Sequence, residues 1–374
     1  MTTAIYAFSG DPITYGHINI INRARTVFDQ VIVAIGKNPD KKYTFNLRER
    51  KEMAKRCFSD PSIRVLSFSN LLVDFAYEQG ASVIIKGVRN SADFDYESIL
   101  HSVGQSQKVG IDTHILFADP KLAHISSSTV KAIAQHNGEI HEYVPLHVKQ
   151  AVEERVCRQI IIGVTGEICS GKSHICNMLS RYQCDTGGYQ NIHNIELDHI
   201  GHDILTKLTE PSYVQVRKEI GELAPISFED DGFIDRSALG AIVFNNPDKL
   251  KKLNKIMAKS IMIRLRKEIS GKTGIILINC ALLVEAQMLH TCNNNVILIK
   301  VDTDTQRQRL LDRGLTEEQI ETRMSSQYSY DCKEDKIRKT MKQHQHGSIC
   351  IIDNSNNITK EELYKEFTEL LNKY

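Results

Sequence analysis

A glycine-rich segment in the middle of the chain has the residue types that hold a nucleoside triphosphate. Residues 163–173 read Gly-Val-Thr-Gly-Glu-Ile-Cys-Ser-Gly-Lys-Ser and follow an apolar β-branched run at 160–162. Glycines let the backbone wrap a phosphate, and the amides that open the next helix point at it. Lys172 would then reach the β and γ phosphates, and the Ser173 hydroxyl would bind Mg²⁺. The order of strand, loop and helix predicts a P-loop, whose ATP-binding residues are Thr165, Gly166, Glu167, Ile168, Cys169, Ser170, Gly171, Lys172 and Ser173.

Asp198 is the candidate for the acceptor side of this site, which a P-loop alone does not define. Residues 195–202 read Ile-Glu-Leu-Asp-His-Ile-Gly-His, where the next strand is expected to end. Ligands of open α/β sheets bind at the carboxyl ends of the strands, so a carboxylate there lies beside the phosphates. It could accept a hydroxyl proton while the γ-phosphoryl group leaves ATP. The spacing fits an ordinary helix N-cap equally well.

Two arginines further along the chain are candidates for contact with the transferred phosphoryl group. The segment 306–313 places Arg309 and Arg313 four residues apart, on one face of a predicted helix. Guanidinium groups at the base of a lid would stabilise the charge that develops during the transfer. Arginine pairs on helices are more often solvated surface, so the pattern alone leaves both interpretations open.

A second set of candidate residues lies near the start of the chain. After a strand-like run at 4–7, a turn at 9–12 leads into Thr-Tyr-Gly-His at 14–17 and then into a helical pattern. Transfer of a nucleotidyl group needs no covalent intermediate, but it needs donors and cations around the α-phosphorus. His17, the Ser9 hydroxyl and Lys41 can supply them, although a loop lysine such as Lys41 is by itself more often solvated.

Two further segments of the N-terminal part could contact phosphates. Lys86-Gly-Val-Arg89 follows the strand-like run at 83–85, and its two cations would flank a phosphate. Ser126, Ser127 and Ser128 precede a helical run and could cap that helix or bind phosphate oxygens at its first amides.

Apolar runs alternate with helical patterns along the whole chain, and the strand-like runs lie at 4–7, 31–35, 83–85, 113–117, 160–162, 275–278, 296–299 and 349–352. Strands that are buried on both faces and separated by helices are typical of parallel sheets. A chain of 374 residues exceeds the roughly 250–300 residues of a single core. We therefore predict the α/β class with two doubly wound parallel-sheet domains, a Rossmann-like nucleotidyltransferase domain at 1–156 and a P-loop kinase domain at 157–374.

Charge and composition exclude several classes of partner. Lys plus Arg number 47 and Asp plus Glu number 46, so no global field favours nucleic acid or an anionic membrane. The apolar runs are shorter than the roughly 20 residues of a spanning helix, and no charged leader segment opens the chain, which predicts a cytoplasmic protein. The nine cysteines show no CxxC spacing, so free thiols are expected rather than disulfides or a structural metal.

The C-terminal part, about residues 160–370, resembles dephospho-coenzyme A kinase. The matching segments follow the family's order and are the P-loop with Thr165, 195–198, 231–236, 243–247, 253–254, 282–285, the helix with Gln306, Arg309 and Arg313, Arg323, Gln327 and 352–354. The resemblance implies that Asp198 is the base for a ribose 3′-hydroxyl and that the arginine helix belongs to a lid. Glu196 stands where the family usually has Asp, and Ala258-Lys259 replaces a usual His-Pro pair.

The N-terminal part, residues 4 to about 155, resembles bacterial-type phosphopantetheine adenylyltransferase. Besides the segments above, the matching segments are 45–50, 71–76, 93–97, Gly138 and 144–145. The resemblance implies roles for residues that fall into three groups: His17 and Lys41 on the α-phosphate, Ser9 and Lys41 on the acceptor phosphate, and Arg89, Glu97 and Ser127 on ATP. Lys86, Ser126 and Ser128 remain candidates for nucleotide binding from their positions in the sequence. It also implies that Leu71 and Leu72 contact the pantetheine arm.

Three departures from the adenylyltransferase pattern affect its site. Ala-Phe-Ser-Gly-Asp at 7–11 replaces Pro-Gly-Ser/Thr-Phe-Asp, which keeps the hydroxyl but moves the aromatic residue and the glycine. Lys86 replaces an arginine, which keeps the charge but loses bidentate contact with a phosphate. Gly104-Gln105 replaces an Asn-Arg pair and removes a cation.

Together the two resemblances imply a bifunctional coenzyme A synthase with Mg²⁺ as cofactor. Its partners would be the small molecules ATP, 4′-phosphopantetheine and dephospho-coenzyme A, and because the adenylyltransferase family forms hexamers, a homo-oligomer through the N-terminal domain is expected. Two alternatives stay open. The departures would also fit an N-terminal binding or assembly module that has lost adenylyl transfer, and the P-loop would also fit a nucleoside or nucleotide kinase.

Overall fold

The structure, a computed structural model, describes residues 2–182, 191–225, 232–243 and 246–372. Asp231, Phe244 and Asn245 of the kinase-like segments lie outside the described residues, as does Cys184. The chain divides into two compact units, Met1–Cys157 and Arg158–Tyr374.

The first unit contains a five-stranded parallel sheet with the strand order β3-β2-β1-β4-β5. Its strands are β1 Thr3–Phe8, β2 Gln30–Gly36, β3 Ile63–Phe68, β4 Val83–Val88 and β5 Asp112–Phe117. Its helices are α1 Tyr15–Arg25, α2 Leu47–Lys55, α3 Leu72–Glu78, α4 Ser91–Ser106, α5 Ser127–Gln135 and α6 Leu146–Val152, which continues as a π-helical turn, Glu153–Cys157. The chain leaves β1 toward β2 on one side and reaches β4 on the other, which opens a crevice at the carboxyl ends of β1 and β4.

The second unit contains another five-stranded parallel sheet, with the order β10-β9-β6-β8-β7. Its strands are β6 Gln159–Gly166, β7 Ile192–Glu196, β8 Gly274–Asn279, β9 Asn295–Lys300 and β10 Ser348–Asp353. Its described helices are α7 Lys172–Leu179, α8 Leu197–Thr206, α9 Pro211–Leu223, α10 Arg236–Val243, α11 Pro247–Ile269, α12 Thr303–Leu311, α13 Glu317–Ser325, α14 Tyr330–His344 and α15 Lys360–Leu371, with a 3₁₀ turn at Leu289–Cys292.

Both sheets are buried on two faces, because alternate residues of each central strand enter different apolar clusters. In β1, Ala4 and Tyr6 pack into one cluster and Ile5 into another. In β6, Ile160 and Ile162 pack on one face and Ile161 on the other. This period of two with both faces apolar is what a helix-covered parallel sheet requires. The predicted α/β class and the two doubly wound sheets are confirmed, and the strand-like runs that were used to predict them all lie in strands.

The composition led to two further expectations, one about membrane-spanning helices and one about the cysteine thiols. Across the described ranges, none of the helices has the length and apolarity needed to cross a membrane. The eight cysteines that the structure describes are all free thiols, as expected.

Candidate active sites

The first candidate site is a cavity of about 400 Å³ at the carboxyl ends of β1 and β4. The predicted residues that line it are Ser9, His17, Lys41, Arg89, Glu97, Ser126, Ser127 and Ser128. Two predicted residues, Lys86 and Leu72, do not line it. Lys86 is paired with Glu97, and Leu72, the first residue of α3, packs against an apolar cluster. The topology therefore brings most of the predicted phosphate ligands of this unit to one crevice.

His17 lies in the first turn of α1, as predicted, and its hydrogen bonds define its tautomer. The backbone N–H of Thr14 donates to Nδ1 over 3.0 Å, and the Thr14 hydroxyl lies 2.9 Å from the same atom. Since a backbone N–H can only donate, Nδ1 carries no proton and the neutral ring is protonated at Nε2. Burial, together with the charge of Arg89, lowers the pKa of His17 to about 4. His17 is therefore a neutral hydrogen-bond donor at physiological pH.

Two of the predicted cations of this unit, Lys86 and Arg89, are paired with carboxylates. Lys86 Nζ lies 2.8 Å from Glu97 Oε2, and Arg89 makes a bidentate pair with Asp93, with Nε and Nη2 at 2.8 and 3.0 Å. The bond to Asp93 raises the pKa of Arg89. Lys41 lies exposed on the loop after β2. The pairing of Arg89 with Asp93 fixes the guanidinium at the mouth of the cavity.

The three serines have different roles at the start of α5. The Ser126 hydroxyl accepts from Thr129 N over 3.0 Å, so the capping role predicted for this segment is confirmed at Ser126. The Ser127 hydroxyl donates to Pro12 O over 2.7 Å and ties α5 to the turn after β1. The amides that open α5 therefore face the same crevice as His17.

Two residues to which sequence reasoning assigned no role hold the turn after β1. The buried Arg50 donates to the carbonyl oxygens of Ser9 and Gly36, at 2.8 Å for the latter, and its guanidinium stacks 3.9 Å from the ring centre of Tyr43. Asp11 accepts from the amide of Phe45 and from Lys131, whose Nζ is 2.6 Å away. These contacts join residues far apart in the chain, so no local pattern signals them.

The second candidate site is the P-loop between β6 and α7. Its carbonyl oxygens are bound from outside the loop: Gln306 donates to Ile168 O at 2.9 Å, Arg309 to Cys169 O at 3.2 Å and Asn354 to Ser170 O at 2.8 Å. Gly171 has φ of +95°, a conformation that favours glycine, and a Cβ there would overlap Asn354 Nδ2. The turn is therefore locked immediately before α7, whose first amides lack partners within the helix.

Lys172 opens α7 and folds back over the loop. Its Nζ donates to Glu167 O at 2.9 Å and lies 3.4 Å from Gly166 O. Burial lowers the pKa of Lys172, while the nearby Asp198 carboxylate opposes that shift. Thr165 lies under the loop with its hydroxyl donating to Ala281 O at 3.3 Å. The order of strand, loop and helix that the sequence predicted here is present.

Asp198 lies in the first turn of α8, beside Lys172. The N-cap of this helix is Glu196, so the N-cap interpretation of Asp198 is wrong. The Asp198 side chain reaches solvent at the mouth of the cleft, yet desolvation by the surrounding protein raises the pKa of its carboxyl, against the opposing charge of Lys172. A carboxylate with a raised pKa near a phosphate-binding lysine is suited to accept a proton.

A hydroxyl and a carboxylate meet at the edge of β7. The Ser173 hydroxyl donates to Glu196 Oε2 over 3.1 Å, and Asn279 Nδ2 lies 3.3 Å from the same hydroxyl oxygen. Asn194 Nδ2 donates to Glu196 Oε1 at 3.0 Å. These are hard oxygen ligands placed where the P-loop ends.

The two arginines near the predicted lid do not share one helical face. Helix α12 ends at Leu311, and Arg313 lies in the following turn with its amide bonded to Leu310 O. The prediction that Arg309 and Arg313 project from one helix is therefore wrong, because Gly314 ends the helix earlier than the arginine spacing suggested. Arg309 is on α12, but it binds carbonyl oxygens of Cys169 and Asn354 and the Asn357 side chain.

Comparison with known proteins agrees with this division. Residues 160–358 match the family model described as dephospho-CoA kinase, and residues 9–133 match the model described as cytidylyltransferase-like. A phosphopantetheine adenylyltransferase of Caldanaerobacter subterraneus subsp. tengcongensis is 42% identical over 156 residues, covering 41% of this chain and 98% of that protein. One of Nautilia profundicola is 43% identical over 145 residues, covering 38% and 94%.

A solved structure described as dephospho-CoA kinase from Campylobacter jejuni shares 22% identity over 57% of this chain and 96% of its own, with a TM-score of 0.33. A likeness of this size supports no conclusion about activity.

Fold and families thus define a chain of two nucleotide-dependent transferase units, each with a candidate phosphate-binding turn at the carboxyl edge of its own parallel sheet. The chain belongs to the dephospho-CoA kinase family through its second unit and to the phosphopantetheine adenylyltransferase family through its first.

The hydrogen bonds of His17 predict its protonation state in solution. We expect the imidazole to stay neutral with its proton on Nε2 from pH 9 down to pH 6, because Nδ1 accepts from Thr14 and protonation occurs only near pH 4. Nitrogen chemical shifts of the histidine rings, assigned with a His17→Gln variant, measure both properties. A ring that titrates near 6.5 or carries its proton on Nδ1 would contradict this geometry.

Proposed function

We propose that this chain is a bifunctional coenzyme A synthase that catalyses the last two steps of coenzyme A biosynthesis. It transfers an adenylyl group from ATP to 4′-phosphopantetheine and then phosphorylates the ribose 3′-hydroxyl of the resulting dephospho-coenzyme A with a second ATP. The proposal is supported by two separate candidate phosphate-binding turns, after β1 and after β6, in a chain that belongs to both families.

In the first reaction, a phosphate oxygen of phosphopantetheine attacks the α-phosphorus of ATP and the bond to the bridging oxygen breaks, so that pyrophosphate leaves. His17 Nε2–H donates to an α-phosphate oxygen without adding a charge, and Lys41 swings from its loop to the same group. The Ser9 hydroxyl and the amides at the start of α5 hold the remaining phosphate oxygens. Donors fixed where charge develops are the main source of rate in such a transfer.

In the second reaction, the 3′-oxygen attacks the γ-phosphorus of ATP, and ADP leaves. Asp198 accepts the hydroxyl proton, and Lys172 exchanges its two loop carbonyls for β- and γ-phosphate oxygens. Arg309 holds the outer side of the P-loop, and Arg313, in the turn after α12, is free to move with the lid toward the phosphoryl group.

A magnesium ion would be held by Ser173 and Glu196. The hydroxyl and the carboxylate are 3.1 Å apart at the end of the P-loop, and oxygen ligands of this kind fit Mg²⁺, which binds through a few protein groups and substrate phosphates. When bound, the ion neutralises charge on the β and γ phosphates. Glu196, where the family usually has Asp, keeps the carboxylate at this position.

The departures from the adenylyltransferase pattern do not close the first site. Lys86 keeps its charge and supports Glu97, and Gln105 Nε2 donates to Ile111 O at 3.1 Å instead of extending toward nucleotide. The cavity retains His17, Ser9 and Arg89 in its lining. These contacts favour an active adenylyltransferase over a module that only binds or assembles.

Single substitutions should separate the two reactions on one polypeptide. We expect Lys172→Ala to lower 3′-phosphorylation by about 100-fold or more while dephospho-coenzyme A still forms, and His17→Ala to do the reverse, because each side chain stabilises charge in one site. Product analysis from phosphopantetheine and ATP measures both steps, with exposed Lys339→Ala and His136→Ala as controls. Pyrophosphate release absent from folded Lys172→Ala would favour the alternative in which the first unit is a binding module. Adenosine or AMP as the better acceptor would favour a nucleoside or nucleotide kinase.

The raised pKa of Asp198 sets the pH dependence of the kinase step. The carboxylate is the active form, so the rate should fall as the pH drops through a pKa above the value of about 3.9 of an unperturbed Asp. Asp198→Asn should remove this acid limb and lower the rate by about 10²-fold or more. Initial rates between pH 5 and 9 test this, with Asp203→Asn on the same helix as the matched control. A variant that keeps the wild-type rate would rule out Asp198 as the base.

The proposed homo-oligomer would use helix α4. This helix has no buried residue and exposes large apolar side chains at Phe94, Tyr96, Ile99, Leu100 and Val103. Exposed apolar patches of this kind mark interaction sites. Light scattering should give a mass of several chains, which Ile99→Glu lowers and which Ile263→Glu, at an exposed apolar position of the second unit, leaves unchanged. A monomeric wild-type chain would contradict the proposal.

A further inference from the structure

Phe8 forms an aromatic column with the proposed α-phosphate donor. Its ring stacks on His17 with 4.4 Å between ring centres and 16° between the ring planes. The Tyr6 ring also contacts Phe8, with 5.0 Å between ring centres and 31° between the ring planes. Residues 6 and 8 point to the same face of β1, because side chains alternate along a strand. The end of β1 therefore presents a flat surface to the imidazole.

The stacked Phe8 ring adds a second restriction on the orientation of the His17 imidazole. The hydrogen bond from Thr14 fixes the position of Nδ1, but a ring held at one atom can still tilt. A parallel aromatic face 4.4 Å away limits that tilt and so sets the direction in which Nε2–H points. Both Phe8 and His17 line the cavity in which the proposed reaction places the phosphates, so the stacked ring orients the imidazole within that cavity.

Gly10 is adapted to the same ring. It has φ of +62°, and a Cβ built on it would lie 3.1 Å from Phe8 Cε2 and 3.4 Å from Ile35 Cδ1. A Cβ at residue 10 would therefore crowd the Phe8 ring and push it aside. This contact couples residues 8 and 10.

We propose that Phe8 is a positioning residue for adenylyl transfer, whose ring fixes the plane of His17 so that Nε2–H meets the α-phosphate, and that Gly10 keeps that ring in place. The inference rests on the proposed first reaction. It assigns a function to the replacement of Gly by Phe at residue 8, which is otherwise a departure from the family pattern.

The direct test compares Phe8→Leu with Phe8→Tyr in the full chain. Leucine keeps much of the apolar volume but has no flat face, so kcat for dephospho-coenzyme A formation should fall about 10-fold or more, since misplaced catalytic groups cost rates of that order. The KM for ATP should change less than about threefold, because the change affects orientation in the transition state. Tyrosine keeps the ring and should restore most of kcat. The kinase reaction of the same polypeptide reports correct folding and should be unchanged.

The imidazole itself provides a second measurement that does not depend on turnover. In Phe8→Leu, the His17 pKa should rise from about 4 toward its usual 6.5, because the stacked ring removes water from the imidazole while Arg89, the charge that faces it, stays in place. Nitrogen shifts of His17 report this change. Wild-type kcat together with an unmoved His17 titration in Phe8→Leu would overturn the inference.

Coupling between residues 8 and 10 is tested by a double-mutant cycle. Gly10→Ala should lower adenylyl transfer in the wild-type chain because its Cβ displaces the ring, and it should cost less in a Phe8→Ala chain, where the ring is gone. The strain of alanine at a positive φ is present in both backgrounds and cancels. If the rate losses of the two single variants multiply to give the loss of the double variant, the two residues act independently. Failure of the proposed function looks different: the wild-type chain would then make no dephospho-coenzyme A.

Discussion

Both sites depend on one constraint on their loops. When the amides of a turn point toward a phosphate, its carbonyl oxygens need hydrogen-bond donors from other parts of the fold. A buried carbonyl without a donor costs free energy of about 1–3 kcal/mol, so such a turn is stable only where donors converge behind it. In the second unit Gln306, Arg309 and Asn354 supply them. In the first unit Arg50 binds the carbonyls of Ser9 and Gly36. The conformation of each loop is thus held by side chains that bind its carbonyl oxygens from other parts of the fold.

This constraint explains why Arg309 and Arg50 bind backbone carbonyl oxygens, although their positive charge alone would suggest that they bind anions. Arg309 and Arg50 carry several N–H donors in a planar fork, which lets one side chain bind two carbonyl oxygens. Lysine offers less directional donors, and Lys333 at the back of the P-loop is paired with Glu285 at 2.5 Å as well as with Ala281 O. A cation near a phosphate site is therefore not always a phosphate ligand.

The sequence predicts the sheets well because their signal is local. Runs such as 31–35 and 296–299 are buried on both faces and are apolar throughout, so they stand out without tertiary information. Strand β3, Ile63–Phe68, was not predicted, because this edge strand is only half buried and carries Arg64 and Ser67 among its apolar residues. The pairs Lys86–Glu97 and Arg50–Ser9 were also beyond prediction, since they join residues that only the fold brings together. The end of α12 at Leu311 shows the same limit. The spacing of the two arginines predicted that Arg313 belongs to this helix, but the helix ends before that residue.

Desolvation shifts the pKa of one residue in each site, and the two shifts have opposite directions. Removing water disfavours whichever form of a group is charged, so it lowers the pKa of His17 and raises that of Asp198. For His17 the result is a neutral ring that donates through Nε2 and adds no charge to a cavity already containing Arg89. For Asp198 the result is a carboxylate that binds a proton more tightly than an exposed one, which strengthens it as a base. The proposed role as a base needs the ionised carboxylate, which Lys172 stabilises against this shift.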